Sequence, residues 1–188
     1  MKVYPAAGAL ILTGLALIFS LISCSPKYVV SGHVVDAETR QPIKGAAVAI
    51  KWYSDYPDNQ SVDAVQAISD DKGVFKIPEY PDKHYVLGVY KNGYICWSSQ
   101  DIFLMPHRKS RAHKYQKRKG LQIADGMEVE LAPLQKNHPK DLHAAFTVMV
   151  AGESTDSDLG PFHQAIQSEY QRLRDKLRND FQKQVGAK

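Results

Sequence analysis

Ser69-Asp70-Asp71-Lys72-Gly73-Val74-Phe75 is the part of this 188-residue chain that best indicates its fold. Asp70 opens a turn, and Gly73 takes the left-handed conformation that a Cβ atom disfavours. Alternating β-branched runs lie on both sides, from Val62 to Ser69 before the turn and from Val74 to Pro78 after it. The stretch therefore predicts a β-hairpin with a positive φ at Gly73.

Short alternating runs continue in both directions from this turn and are separated by Gly, Pro and Asp. They predict further strands at Tyr28 to Asp36, Ala46 to Trp52, Tyr85 to Lys91 and Met127 to Leu131. In the third of these, the period of two places Leu87 and Val89 on one face and Tyr90 on the other. Turn signals about every ten to twelve residues are typical of a β-sandwich.

The turn motifs, taken in order, resemble the carboxypeptidase regulatory-like domain, a small β-sandwich of the transthyretin-like (prealbumin-like) class. The motifs are Gly32-His33-Val34-Val35-Asp36, Thr39, Pro42-Ile43, Gly45-Ala46-Ala47-Val48, Ser69 to Phe75, and Lys91-Asn92-Gly93-Tyr94. The chain departs from the family at Arg40, where Gly commonly follows the Thr. The resemblance implies a structural, adhesive or accessory module without chemistry of its own. A specific function does not follow from it, because fold alone does not give function.

After Pro133 the apolar period becomes helical. One helix is predicted from Pro139 to Gly152, and a longer one begins at Pro161. The apolar stripe of the first helix is Leu142, Ala145, Phe146 and Met149, and that of the second is Phe162, Ile166, Tyr170, Leu173, Leu177 and Phe181. These stripes face the sandwich, each other or a partner. We expect a mainly β protein with the sandwich at 24–133, a basic insert at 102–124 and a helical C-terminal extension at 134–188.

The N-terminal residues indicate export. Lys2 precedes an apolar run, and Leu21-Ile22-Ser23-Cys24 resembles the lipobox of bacterial lipoproteins. The resemblance implies that residues 1–23 are a signal peptide and that Cys24 is lipidated, with palmitate among its acyl chains. Ser25 then favours the outer membrane of the cell envelope. An uncleaved membrane anchor is the alternative, but the run is short for a spanning helix.

One segment holds an excess of positive charge, since no acidic residue lies between Asp101 and Asp125. We expect it to be an exposed loop or a hairpin tip. It is either a solvated loop or a surface that binds anionic lipid or an acidic envelope polymer; nucleic acid is excluded by the compartment. The cations are Arg108, Lys109, Arg111, Lys114, Lys117, Arg118 and Lys119.

No catalytic, metal-binding or cofactor-binding set is recognisable in the sequence. The seven histidines form neither H-x-H nor H-E-x-x-H, and no nucleophile elbow or phosphate loop is present. Cys96, between Ile95 and Trp97, is expected to be a buried small hydrophobe rather than a reactive thiol. The sequence therefore predicts a non-catalytic envelope lipoprotein with a structural, accessory or protein-interaction role. The alternative is a glycan- or peptide-binding module that uses aromatic residues such as Tyr53 and Tyr56.

Overall fold

The computed structural model describes residues 27–53, 61–81, 85–104, 115–119, 121, 123–151 and 160–185. The strands are β1 (Lys27–Asp36), β2 (Ala47–Tyr53), β3 (Ser61–Ile68), β4 (Val74–Pro81), β5 (Tyr85–Tyr90), β6 (Trp97–Ser98), β7 (Asp101–Phe103), β8 (Tyr115–Lys117) and β9 (Met127–Leu131). The helices are α1 (Lys140–Ala151), α2 (Pro161–Ala165) and α3 (Gln167–Val185). The described part does not include the predicted signal peptide, Cys24 or Tyr56, and it does not include the side chain of Tyr53.

Two sheets pack face to face, as the mainly β sandwich prediction requires. One has the strand order β4-β1-β9 and the other β3-β2-β5-β6, with β1 and β9 parallel and the other pairs antiparallel. The core between the sheets contains Val34, Phe75 and Val129 from the first sheet and Ile50 and Leu87 from the second. Each such side chain contributes about 1.5 to 3 kcal/mol when fully buried, so the inner faces hold the two sheets together.

The predicted hairpin at Asp70 to Gly73 is wrong, because β3 and β4 belong to different sheets. The turn instead carries the chain across the sandwich from one sheet to the other. The side chain of Ser69 fixes its start by accepting from Ala46 N at 2.8 Å and donating to Ile43 O at 2.7 Å. Its end is fixed where Val34 N donates to Gly73 O at 2.8 Å. The positive φ predicted at Gly73 is confirmed at +73°.

Arg40 adopts the left-handed conformation that glycine takes most readily. Its φ is +63°, the only positive value at a non-glycine residue in the described part of the chain. The Arg40 guanidinium pairs with Glu128 and Glu130 on β9. This double ion pair ties the turn after β1 to the edge strand of the same sheet and offsets the backbone strain.

The helices cover the outer face of the four-stranded sheet, which is therefore buried on both sides. Ala49 and Tyr90 of that sheet pack with Phe146, Phe162 and Ile166 in a second core. The helical C-terminal extension predicted from the sequence is thus a third layer of the fold.

The predicted helical faces are only partly correct. In α1 the buried residues include His143, Thr147 and Val150, whereas Met149 is 39% exposed. The polar side chain of His143 lies on the inner face because its Nε2 accepts from Cys96 N at 3.0 Å, and the Thr147 hydroxyl lies 3.5 Å from the same nitrogen. The single helix predicted from Pro161 is interrupted at Ile166, where α2 ends before α3 begins.

Candidate functional site

The basic insert lies between two strands that pair with each other. β7 and β8 are antiparallel, with Asp101 opposite Lys117 and Phe103 opposite Tyr115. Four of the seven cations, Arg108, Lys109, Arg111 and Lys114, fall on residues outside those the structure describes. Lys117, Arg118 and Lys119 are described, and they differ from one another in environment.

Lys117 and Arg118 make contacts inside the protein. Lys117 Nζ lies 3.1 Å from Asp101 Oδ1, because the strand register places the acid beside the base. The guanidinium carbon of Arg118 lies 4.9 Å from the centre of the Trp97 ring, and its Nε donates to Ser98 O at 3.0 Å. Lys119 is exposed. Asp101, the acid at the edge of the segment, therefore pairs with Lys117, and only part of the described charge is available to another surface.

Apart from the basic insert, a cluster of polar side chains is buried between the helices and the four-stranded sheet. We define this helix–sheet cluster as Tyr90, Cys96, His143 and Glu169. Glu169 Oε1 accepts from Tyr90 Oη at 3.0 Å, and Cys96 N donates to His143 Nε2 at 3.0 Å. His143 Nδ1 lies 3.9 Å from the same Glu169 oxygen. Because Nε2 accepts a hydrogen bond, the neutral ring carries its proton on Nδ1, on the side of the carboxylate.

A cysteine, a histidine and a carboxylate in one cluster suggest a nucleophilic site, but the geometry does not support one. His143 Nε2 is occupied by the backbone N–H of Cys96 and not by its thiol. Burial raises the pKa of the Cys96 thiol to about 12 and lowers that of His143 to about 4. A thiol that stays protonated in a closed core is not a nucleophile. The cluster instead joins α1 and α3 to β5, and the prediction of Cys96 as a buried residue is confirmed.

Two further polar side chains are buried where α2 packs against the sheet, Lys51 on β2 and His163 on α2 itself. Lys51 Nζ and both ring nitrogens of His163 have no hydrogen-bond partner in the part of the chain that the structure describes. Burial lowers the pKa of Lys51 to about 8. Burial and the charge of Lys51 together lower the pKa of His163. The sequence did not identify either residue, because each lies singly in an otherwise apolar pattern.

The far half of α3 extends beyond the packed body. Leu177, Phe181 and Val185 are 62%, 67% and 58% exposed, respectively. They follow one another at intervals of four, so they lie along one edge of the helix. We call these three residues the α3 apolar edge. The sequence predicted a stripe here, and the structure buries only its first part, at Phe162 and Ile166.

Two kinds of feature are absent from the described ranges, a metal-binding cluster and a membrane-spanning helix. No group of three or more His, Cys, Asp or Glu side chains there is placed to hold a metal ion. Among the helices described, none combines the length and apolar character needed to cross a membrane.

Comparison with known proteins identifies only distant likenesses of fold. No protein-family model matches the chain, and no curated protein sequence matches it. The solved structures similar to it include catechol 1,2-dioxygenase of Acinetobacter radioresistens, with 14% identity, a TM-score of 0.36, and coverage of 62% of this chain and 55% of that one.

Two pilus proteins are similar at the same level. The pilus 2b backbone protein of group B streptococcus has 16% identity and a TM-score of 0.33, covering 56% of this chain and 40% of that one. The major pilin SpaD of Corynebacterium diphtheriae has 9% identity and a TM-score of 0.35, covering 57% and 30%. The chain thus spans less than two thirds of each of these structures, and likenesses this weak carry no argument about activity.

Proposed function

We propose that this protein is a non-catalytic lipoprotein of the bacterial cell envelope, anchored in the outer membrane through lipid on Cys24, that acts as an accessory module by binding another envelope protein. The α3 apolar edge is the observation that carries the proposal. The closed helix–sheet cluster supports the non-catalytic part, since its thiol and imidazole are both buried and held in their neutral forms.

The α3 apolar edge has the form of a helix that docks into a groove. The start of α3 is held by Glu169 in the helix–sheet cluster, so the free end projects from a fixed base. Apolar side chains at intervals of four, exposed to water, gain free energy when a partner covers them. A single exposed apolar residue needs no explanation, but three in a row on one edge indicate a contact surface.

Charge favours a partner with an acidic rim. From Arg174 to Val185 the helix carries four basic and two acidic residues, and Arg174 and Arg178 lie one turn apart beside the apolar edge. A symmetric pair of these helices would bring two segments with an excess of positive charge together. We therefore assign the edge to a different protein whose groove is apolar inside and acidic at its margin.

Photo-cross-linking in living cells tests this assignment. With Phe181→p-benzoylphenylalanine in the full chain, we expect one envelope protein to become covalently attached under light. The same probe at Asn179, on the opposite side of α3, is the matched control and should give at least tenfold less product. Reversing the flanking charge with Arg174→Glu and Arg178→Glu should reduce the Phe181 product by a similar factor.

Other products would contradict the assignment. A dimer of this chain would identify a second copy as the occupant, and attachment to lipid alone would identify the membrane. Equal products from the probes at 179 and 181 would mean that the edge is not a specific surface.

The lipid anchor has its own prediction. Cys24→Ala should leave the precursor uncleaved and without acyl chains, because the thioether forms on that sulfur. Each buried acyl CH₂ contributes about 0.8 kcal/mol to membrane binding, so the variant precursor loses that contribution for every acyl chain it lacks. Mass spectrometry of the intact chain checks this. Cys96→Ala is the control and should be processed normally; a mature, acylated product from Cys24→Ala would refute the anchor.

A further inference from the structure

A small cavity opens beside the Arg118–Trp97 contact. Its volume is about 360 Å³, and it is open to solvent on one side. The residues around it come from the start of β5, the segment after β6 and the segment after β8. They are Tyr85, Ser99, Gln100, Lys117, Arg118, Leu121 and Ile123.

Two cations line this cavity, and among the described residues only Lys117 has an acidic partner. Lys117 lies 3.1 Å from Asp101 Oδ1, so those two charges largely cancel. Arg118 uses its Nε for Ser98 O, and none of the residues in the described ranges accepts from its two terminal Nη groups. The contact with Trp97 holds the guanidinium plane in place. A fixed guanidinium whose Nη groups have no acceptor among the described residues matches a carboxylate, which accepts two parallel hydrogen bonds.

The remaining walls suit a small organic molecule rather than a bare ion. Ser99 Oγ accepts from Leu87 N at 3.0 Å, which leaves its own O–H to donate into the cavity. Leu121 and Ile123 provide an apolar side, and Ile123 is itself packed against the core of the sandwich. The volume falls within the range typical of small-ligand pockets and exceeds what a single ion requires.

We propose that this cavity binds an organic carboxylate, with the carboxylate on Arg118 and the body of the molecule against Leu121 and Ile123. Ser99 supplies a further donor to the ligand. Two sources share this chemistry, the C-terminal residue of a peptide and an acidic sugar, and the cavity has room for one such unit. The site is remote in sequence from Cys24 and α3, and its test is independent of theirs.

Trp97 provides the reporter for the binding experiment. The chain has two tryptophans, so Trp52→Phe leaves the one that contacts Arg118. The full chain in polyoxyethylene detergent is titrated with N-acetyl-L-leucine and with its neutral amide, N-acetyl-L-leucinamide. Galacturonate and galactose form the second pair. We expect a saturable change in Trp97 fluorescence with at least one acid, and at least tenfold weaker binding of its neutral counterpart. The tighter-binding acid identifies the source.

Paired variants separate the cavity from general charge. Arg118→Gln should weaken binding at least tenfold, whereas Lys119→Gln, which removes the same charge from the next residue, should change it less than twofold. Leu121→Glu leaves Arg118 and its contacts intact and places a carboxylate at the cavity, so it should also abolish binding, even if Arg118→Gln disturbs the fold. Equal binding of acid and neutral analogue, equal effects of the two Gln variants, or no binding of either acid at millimolar concentration would each overturn the proposal.

Discussion

Gly73→Ala is expected to lower the free energy of unfolding of the sandwich by about 3 kcal/mol. Two causes add. The residue has a φ of +73°, a conformation that costs an L-residue about 1 to 2 kcal/mol. In addition, a Cβ atom at this position would lie 2.5 Å from Val34 O.

The clash at Gly73 has no easy relief. Val34 O already accepts from Ile43 N at 2.9 Å, and Val34 N donates to Gly73 O at 2.8 Å, so the two backbone segments are held at their present separation. Moving either one would break the link between β1 and the turn that connects the sheets. Substitution by Val should therefore cost more than substitution by Ala.

Gly93→Ala is the matched control for this prediction. Gly93 also has a positive φ, of +88°, but a Cβ there would meet nothing within 4 Å. It should cost only about 1 kcal/mol, the conformational part alone. Urea unfolding of the full chain in detergent measures both values. Equal losses at the two positions would show that close approach at the turn contributes nothing.

The local parts of the fold were predictable from the sequence, and the pairing of distant parts was not. Alternation and turn residues located β1 to β5 and β9, because the period of two and the positive φ at Gly73 depend on a few neighbouring residues. The sheet that each strand joins depends on remote partners instead. β4 pairs with β1, which begins more than forty residues earlier, and so the predicted hairpin was wrong.

In the candidate sites, too, the contacts between residues distant in sequence were not predictable. His143 and Cys96 are 47 positions apart, and no spacing rule connects them. The inward face of α1 was misplaced because a search for apolar residues cannot count a histidine and a threonine that are buried through hydrogen bonds. The position of Arg118 over Trp97 depends in turn on the pairing of β7 with β8, two strands too short to be recognised from their composition.

Acid is expected to weaken the attachment of the helices, and His143 is the reason. Burial lowers the pKa of His143 from 6.5 to about 4. Between pH 6.5 and 4 the imidazole of His143 is protonated in the unfolded chain and neutral in the folded chain. The stability contributed by the neutral ring is therefore complete above pH 6.5 and is lost as the pH falls to 4. The loss is about 2 to 3 kcal/mol. His163, whose pKa is also lowered, acts in the same direction.

His143→Gln isolates this contribution, because the glutamine oxygen can replace Nε2 as the acceptor for Cys96 N without titrating. Between pH 6.5 and 4 the variant should lose about 2 to 3 kcal/mol less stability than the wild-type chain. The carboxylates with lowered pKa, including Asp36 and Asp70, are affected mainly below pH 4 because their reference pKa is 3.8. If wild type and His143→Gln lose stability in parallel from pH 6.5 to 4, the neutral imidazole is not what holds α1 to the sheet.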